Sequence, residues 1–283
     1  MDIVYLSFLF VVGTFFGSFI NVVALRYNTG LSSFSGRSMC PNCGRKLSWF
    51  ELIPIFSFIF LSAKCRTCGS KISWRYFWVE VIAGIAFLFI SLRQYYLYQN
   101  IFFYFNNGLV YSFLLFLYYS FIFGLLFVIA LYDSRHKIVP DVLVYVFIGL
   151  SLIKLYLFIF FKDFNLVMFD YFDLLAPLTT FLPFFLLWYL SGGKYLGFGD
   201  VKLSVGIGAL LGFVSGFSAI ILAFWIGAVW SILMFVYTKI KQNTTLSFKS
   251  EIAFAPFLIL ATLVVYLTRF DTIGIGNFLQ IFK

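Results

Sequence analysis

Charge is what this chain has least of. Only 11% of its 283 residues are Asp, Glu, Lys or Arg, while 63% are hydrophobic; ordinary soluble domains run to about 25% charged and about 45–50% apolar. A water-soluble fold is excluded, because too little polar surface exists to cover the apolar surface, and lipid must be the solvent. Histidine is nearly missing. The single one, His136, sits among basic residues and reads as solvated, so a histidine-based catalytic triad is not expected. No glycine-rich nucleotide fingerprint occurs. The first apolar run lacks a small-x-small cleavage site, so it is expected to stay as a span rather than leave as a signal peptide. Acids number 11 against 20 Lys and Arg, a net charge of +9. In a chain this apolar the excess reads as membrane topology, not as nucleic-acid binding.

What is there is a series of apolar runs. Read as helices, they predict eight spans near residues 3–25, 76–92, 108–132, 142–161, 174–190, 201–213, 217–237 and 253–267, with the sixth and eighth short and Lys154 inside the fourth. The expected fold class is an all-α, polytopic membrane bundle. The loops 26–75, 133–141, 191–202 and 238–252 hold 15 of the 20 Lys and Arg, the opposite loops and tail only 4. Basic residues collect on the cytoplasmic side. The bias therefore predicts an inner-membrane protein with both termini outside and the long first loop in the cytoplasm.

All four cysteines lie in that loop, as CPNCG (40–44) and CRTCG (65–69), separated by 21 residues. Each Cys-x2-Cys pair can close a knuckle on a metal ion, and two knuckles complete a tetrahedral thiolate shell from Cys40, Cys43, Cys65 and Cys68. Gly44 and Gly69 permit the tight turns. The predicted ligand is structural zinc, since four thiolates leave no open position for catalysis. Two disulfides are the alternative, and a reducing cytoplasm disfavours them. The intervening LIPIFSFIFLS (52–62) is too short to span and is expected to dip into the interface or pack on the spans.

Most of the acids need no special role. Asp163, Asp170 and Asp173 read as solvated loop residues, and Glu80 as a carboxylate suited to a helix N-terminus. Asp133 and Asp200 differ. The basic-residue map places Asp133, at the end of the third span, and Asp200, at the start of the sixth, at one membrane face. Two carboxylates sharing a site cannot both ionise easily, so one can activate water while the other donates a proton to the substrate carbonyl. Gly197 and Gly199 are expected to give the backbone unusual conformations beside Asp200 and room for an extended substrate. The plainer alternatives are a helix N-cap for Asp200 and a loop aspartate near Arg135 and Lys137 for Asp133.

These residues resemble the prepilin peptidases, or type IV leader peptidases, over nearly the whole chain. GSFINVVALR (17–26) is similar to the family's first-span motif, and residues 40–80 to its cytoplasmic zinc loop. DSRHKIVPD (133–141) is similar to its Asp-x5-Leu-Pro-Asp stretch with Val139 for Leu. GFGD (197–200) matches the Gly-x-Gly-Asp signature of intramembrane aspartyl proteases. FAPFL (254–258) resembles a Phe-Gly-Pro-Phe stretch with Ala255 for Gly, and Ala63 also stands where Gly is frequent. The resemblance implies Asp133 and Asp200 as the catalytic pair, with Asp141, Gly197 and Gly199 in support. It implies an N-terminal region, residues 1–106, bearing the zinc loop and associated with methyl transfer, and a peptidase membrane domain, residues 107–283. The implied activity is removal of the leader from prepilins or pseudopilins after a glycine, on the cytoplasmic side. N-methylation of the new terminal residue from S-adenosylmethionine goes with it. Proteolysis would need no cofactor, and the partners would be these substrates and the bilayer.

Two other classes compete. A transporter could use membrane-edge acids to bind a cation, but such folds often show internal repeats and midplane acids, and neither is seen here. A non-enzymatic scaffold binding a partner through its zinc loop would depend on the cysteines and not on Asp133 or Asp200.

Overall fold

The computed structural model describes residues 3–30, 32, 36–100, 103, 107–161, 168–240, 253–269 and 271–272. Among the described residues there is no strand, only two isolated bridges, Met39 with Lys46 and Lys64 with Lys71. Apolar runs in lipid leave backbone polar groups no partner but one another, and the helix satisfies all of them locally. The helices are α1 (Ile3–Arg26), α2 (Phe56–Phe60), α3 (Trp74–Asn100), α4 (Gly108–His136), α5 (Asp141–Phe161), α6 (Met168–Ser191), α7 (Phe198–Leu211), α8 (Phe213–Ile240) and α9 (Ala255–Thr268).

Leaving aside the five-residue α2, the other eight fall on the eight expected spans. Among the described residues α1, α3, α4, α8 and the Asp170–Ser191 part of α6 are long and apolar enough to cross a membrane. The helices α7 and α9 have 14 residues each. That is about 21 Å at 1.5 Å per residue, short of a hydrocarbon core of about 30 Å.

The chain divides into two compact units, Met1–Val128 and Ile129–Lys283, the boundary falling inside α4. In the first unit α1 packs on α3 through small residues. A Cβ added to Gly13 would lie 2.6 Å from Phe87 Cβ, and one added to Gly17 would lie 2.8 Å from both Ala83 Cβ and Glu80 Cα. Gly13 and Gly17 form a Gly-x3-Gly step, which lets backbones approach where lipid offers no hydrophobic driving force between helices.

The LIPIFSFIFLS segment begins where a short 3-10 turn, Trp49–Leu52, ends, and it carries α2. It packs on α3 through the buried Phe58, whose ring meets those of Trp74 (5.0 Å) and Phe77 (5.5 Å), while Phe56, Ile59 and Phe60 stay exposed. Glu80 departs from expectation. It lies in the second turn of α3, buried, and accepts the Ile55 backbone N–H at 2.8 Å, so it ties the α2 segment to α3 instead of serving a helix start.

In the second unit α7 is central. Its residues Asp200, Val201, Leu203, Ser204 and Gly206–Leu210 are buried, the signature of a helix apolar all round and enclosed by others. Gly206 lies under the Phe147 ring of α5, and Gly208 lies against Ala176 and Thr180 of α6. Thr180 Oγ1 donates to the Ser204 carbonyl at 2.9 Å.

The sixth and seventh spans, nearly continuous in sequence, part at Gly212, whose φ of 85° favours glycine. Here Lys154 Nζ donates to the Leu210 carbonyl at 2.5 Å, satisfying the end of α7. Asp173 Oδ1 accepts the Phe213 N–H at 2.8 Å, capping the start of α8. The expectation of solvated loop acids is thus corrected for two of three. Asp173 caps a helix and Asp170 is buried in the first turn of α6, because the helix begins earlier than the apolar run that announces it. Asp163 lies outside the described residues.

Candidate active site and metal centre

Asp133 occupies the last turn of α4, which closes when Lys137, at φ 53°, donates its N–H to the Asp133 carbonyl at 2.7 Å. Asp200 is the third residue of α7. Both side chains are buried, at 4% and 6% exposure, and the Asp133 carboxylate is a like-charge neighbour of the Asp200 carboxylate. The structure therefore brings together two acids separated in sequence by two whole helices.

The backbone N–H of Ala255, the first residue of α9, faces the Asp133 carboxylate, and that of Gly197 faces the Asp200 carboxylate. Gly197, not Asp200, is the N-cap of α7, so the N-cap alternative does not describe Asp200. Among the described residues, the buried Oδ2 of Asp133 and Oδ1 of Asp200 have no hydrogen-bond partner. Unpaired buried carboxylate oxygens are costly, and two in one place need an explanation beyond capping.

The glycines act differently from expectation. Gly197 has φ −72° and ψ 143°, ordinary extended backbone, and Gly199 is helical, so neither supplies a conformation reserved for glycine. Gly199 is required for close approach instead: a Cβ there would lie 2.5 Å from Val139 Cβ. Asp141, the first residue of α5, pairs with Lys202 of α7. His136 is exposed, its ring 4.4 Å from that of Tyr132.

Two participants were not foreseen from the sequence. Lys202 lies two residues beyond Asp200, a proximity that could have drawn attention to it. The Ala255 contact is made by a backbone amide and leaves no mark in side-chain chemistry.

In the first unit the Sγ atoms of Cys40, Cys43, Cys65 and Cys68 all lie within 4.8 Å of one another. The two knuckles repeat one pattern. Gly44 N–H donates to the Cys40 carbonyl and Gly69 N–H to the Cys65 carbonyl. Cys40 and Cys65 N–H donate in turn to the carbonyls of Arg45 and Ser70. Gly44 and Gly69 sit at φ 68° and 67°, the left-handed turn expected of them. The Cys40–Cys68 sulfur separation is 3.8 Å. A tetrahedron of thiolates about 2.3 Å from zinc has edges of about 3.8 Å, whereas a disulfide needs about 2.05 Å. The four sulfurs fit a single metal shell.

Beside the shell, Arg45 donates to Glu51 at 2.5 Å. The Ser48 backbone N–H, and after it the Arg45 guanidinium, hold the Glu51 carboxyl below the usual carboxylate range.

Residues 11–94 match the Bacterial Peptidase A24 N-terminal domain, and residues 120–232 match the Type IV leader peptidase family. A Prepilin leader peptidase/N-methyltransferase of Vibrio cholerae is 32% identical over 224 residues, 75% of this chain and 79% of that protein. The protein of the same name from Dickeya chrysanthemi is 27% identical over 292 residues, 90% of this chain and 89% of its own. That of Myxococcus xanthus is 48% identical over 88 residues, 31% of this chain and 26% of its own length. No solved structure matches.

Proposed function

The chain belongs to the type IV leader peptidase family, and from that premise and the paired carboxylates we propose that it is an intramembrane aspartyl endopeptidase in which Asp133 and Asp200 are the catalytic pair. It processes prepilins, as its relatives' names say of them, and it pairs peptidase with N-methyltransferase activity. The finer reading is cleavage of prepilin or pseudopilin leaders after a glycine at the cytoplasmic face.

The observation that carries the mechanism is the pair of buried, unpartnered oxygens, Asp133 Oδ2 and Asp200 Oδ1. A backbone N–H faces each acid, and among the described residues the two free oxygens have their hydrogen-bonding capacity unused. With one proton between the two acids, the ionised carboxylate takes a proton from water as the water oxygen attacks the scissile carbonyl carbon. The protonated carboxyl gives its proton to the carbonyl oxygen. Collapse of the tetrahedral intermediate breaks the C–N bond. The proton taken from water passes to the leaving amine, a hydroxyl of the intermediate returns its proton to the other carboxylate as the carbonyl re-forms, and the pair again shares one proton. Gly197, Gly199 and Asp141 support the geometry around it.

The four cysteines would hold Zn2+, which cross-links the two knuckles and fixes a loop too small and polar to build its own core. No step of peptide hydrolysis passes through it. The methyl donor proposed is S-adenosylmethionine, on family membership alone. The distribution of Lys and Arg supports a multi-pass protein of the inner membrane, with termini outside and both the zinc loop and Asp133 and Asp200 on the cytoplasmic side.

The test is to incubate the detergent-solubilised protein with a prepilin and S-adenosylmethionine and to read cleavage and methyl addition separately by mass spectrometry. Asp133→Asn and Asp200→Asn are each expected to abolish cleavage while the protein still inserts and accumulates. Cleavage retained by either variant overturns the pair.

A further inference from the structure

Lys202 is a lysine on a largely buried helix, and its side chain is only 15% exposed. Its ammonium pairs with the Asp141 carboxylate at the first residue of α5. It also lies over two aromatic rings, Tyr145 at 5.3 Å and Phe198 at 5.4 Å. Tyr145 is one turn beyond Asp141 on α5, and Phe198 is one turn before Lys202 on α7. Each helix therefore offers the cation one aromatic face, and α5 adds the counter-charge. Cation–π contacts strengthen when the cation is desolvated, and burial of the lysine end sets this pair apart from fully exposed ones, which are nearly worthless, while its Asp141 end is open to the surface.

Where this clamp sits gives it a role. The four residues 137–140 join α4, which ends just after Asp133, to α5, which begins at Asp141. That connection and the residue that follows it touch the start of α7 twice. Val139 fills the space that Gly199 leaves by having no Cβ, and Asp141 takes Lys202. Residues 199 and 202 bracket Asp200, and residues 139 and 141 follow Asp133 along one short segment. Two contacts fix the register of one segment against another where a single contact leaves a pivot. Gly199 with Val139 sets how closely they approach, and Lys202 with Asp141 stops α7 from turning or sliding about that point.

Resting on the assignment of Asp133 and Asp200 as the catalytic pair, we infer that Lys202 and Asp141 are positioning residues, an ionic clamp that fixes the register of the α4–α5 connection on α7 and thereby the separation of the two carboxylates. Neither residue is assigned a contact with substrate.

The experiment is steady-state prepilin cleavage by the full-length, detergent-solubilised enzyme. Asp141→Asn, Lys202→Met, the double variant and Lys202→Arg are each compared at equal amounts of folded protein, judged by size-exclusion profile and thermal melting. A misplacement of about 1 Å costs on the order of 100-fold in rate. Asp141→Asn and Lys202→Met are expected to lower kcat by about 10- to 100-fold with KM nearly unchanged. The double variant should be no worse than the poorer single one, and Lys202→Arg should recover most of the loss. Asp141 is a surface residue, 60% exposed, so its variant carries the test even where Lys202→Met accumulates poorly.

Unchanged kcat in Asp141→Asn overturns the clamp. So do effects that multiply in the double variant, or a Lys202→Arg enzyme as slow as Lys202→Met. Asp133→Asn and Asp200→Asn run in the same assay separate the two ideas: if they cleave normally the catalytic pair itself is wrong, and if they are inactive while the clamp variants are normal, only the clamp is wrong.

Discussion

At the scale of the residue, the most informative side chains are those whose local explanation is incomplete. Asp133 in the last turn of α4 and Asp200 at the start of α7 each bury an oxygen that has no hydrogen-bond partner among the described residues. Gly199 is the reverse case, a residue defined by what it lacks. With Val139 Cβ 2.5 Å from where its own Cβ would stand, Gly199→Ala must push the α4–α5 connection away from α7. The expected result is a fall in kcat for prepilin cleavage of on the order of tenfold or more. Most of it should return when Val139→Gly is added, because only loss of the Val139 Cβ vacates the space the first change fills. Cleavage progress curves of the single and double variants check this, and a loss that Val139→Gly leaves untouched argues for a backbone role of Gly199 instead.

At the scale of the element, the cysteine loop shows how a segment of low intrinsic stability is assembled. Two short knuckles, a 3-10 turn and the five residues of α2 bury few side chains, so local pairing and metal must do most of the holding. The Arg45–Glu51 pair is part of that. Its sign with pH follows from the Glu51 carboxyl being held below its ordinary value. The stabilisation is fully present above the unfolded carboxylate pKa of about 4.3 and disappears as pH falls through the lower folded value.

Glu51→Gln is therefore expected to weaken the loop at neutral pH, since Arg45 loses its counter-charge and keeps only a neutral acceptor. The difference from the parent should shrink in acid. Limited proteolysis across residues 40–69 as a function of pH, with zinc content measured alongside, reads both. Equal protease resistance of the two proteins at neutral pH would remove Glu51 from the account.

At the scale of the whole molecule, the two units are built on different packing. The first rests on a Gly-x3-Gly step that brings α1 against α3. The second surrounds the 14 residues of α7 with longer helices. Overpacking a close helix contact costs about 1–3 kcal/mol. Gly17→Leu, which would place its side chain where Ala83 Cβ and Glu80 Cα already stand, is expected to lower the thermal midpoint and the yield of inserted protein. Asp133, Asp141, Gly199, Asp200 and Lys202 all belong to Ile129–Lys283, so cleavage per folded molecule should survive the change. A Gly17→Leu protein with a parental melting curve would show that α1 and α3 tolerate separation.

Much of this was legible in the sequence because it depends on composition and short-range spacing. Eight apolar runs became eight helices, since lipid leaves a backbone no other choice. Two Cys-x2-Cys-Gly turns became two left-handed knuckles, since the geometry of each is complete within five residues. The sequence by itself also singled out Asp133 and Asp200, as acids at the edges of apolar runs on the face richest in Lys and Arg.

Only the tertiary structure decided what depends on the approach of distant segments. That Gly199 makes room for Val139, that Lys202 answers Asp141, that Asp173 caps α8, and that an alanine amide faces Asp133 are all contacts between segments distant in sequence. Spacing along a chain fixes the phase of a helix but not its neighbour. Two of these contacts turn on a missing Cβ or a backbone N–H, groups that carry no signal of their chemistry until another helix arrives beside them.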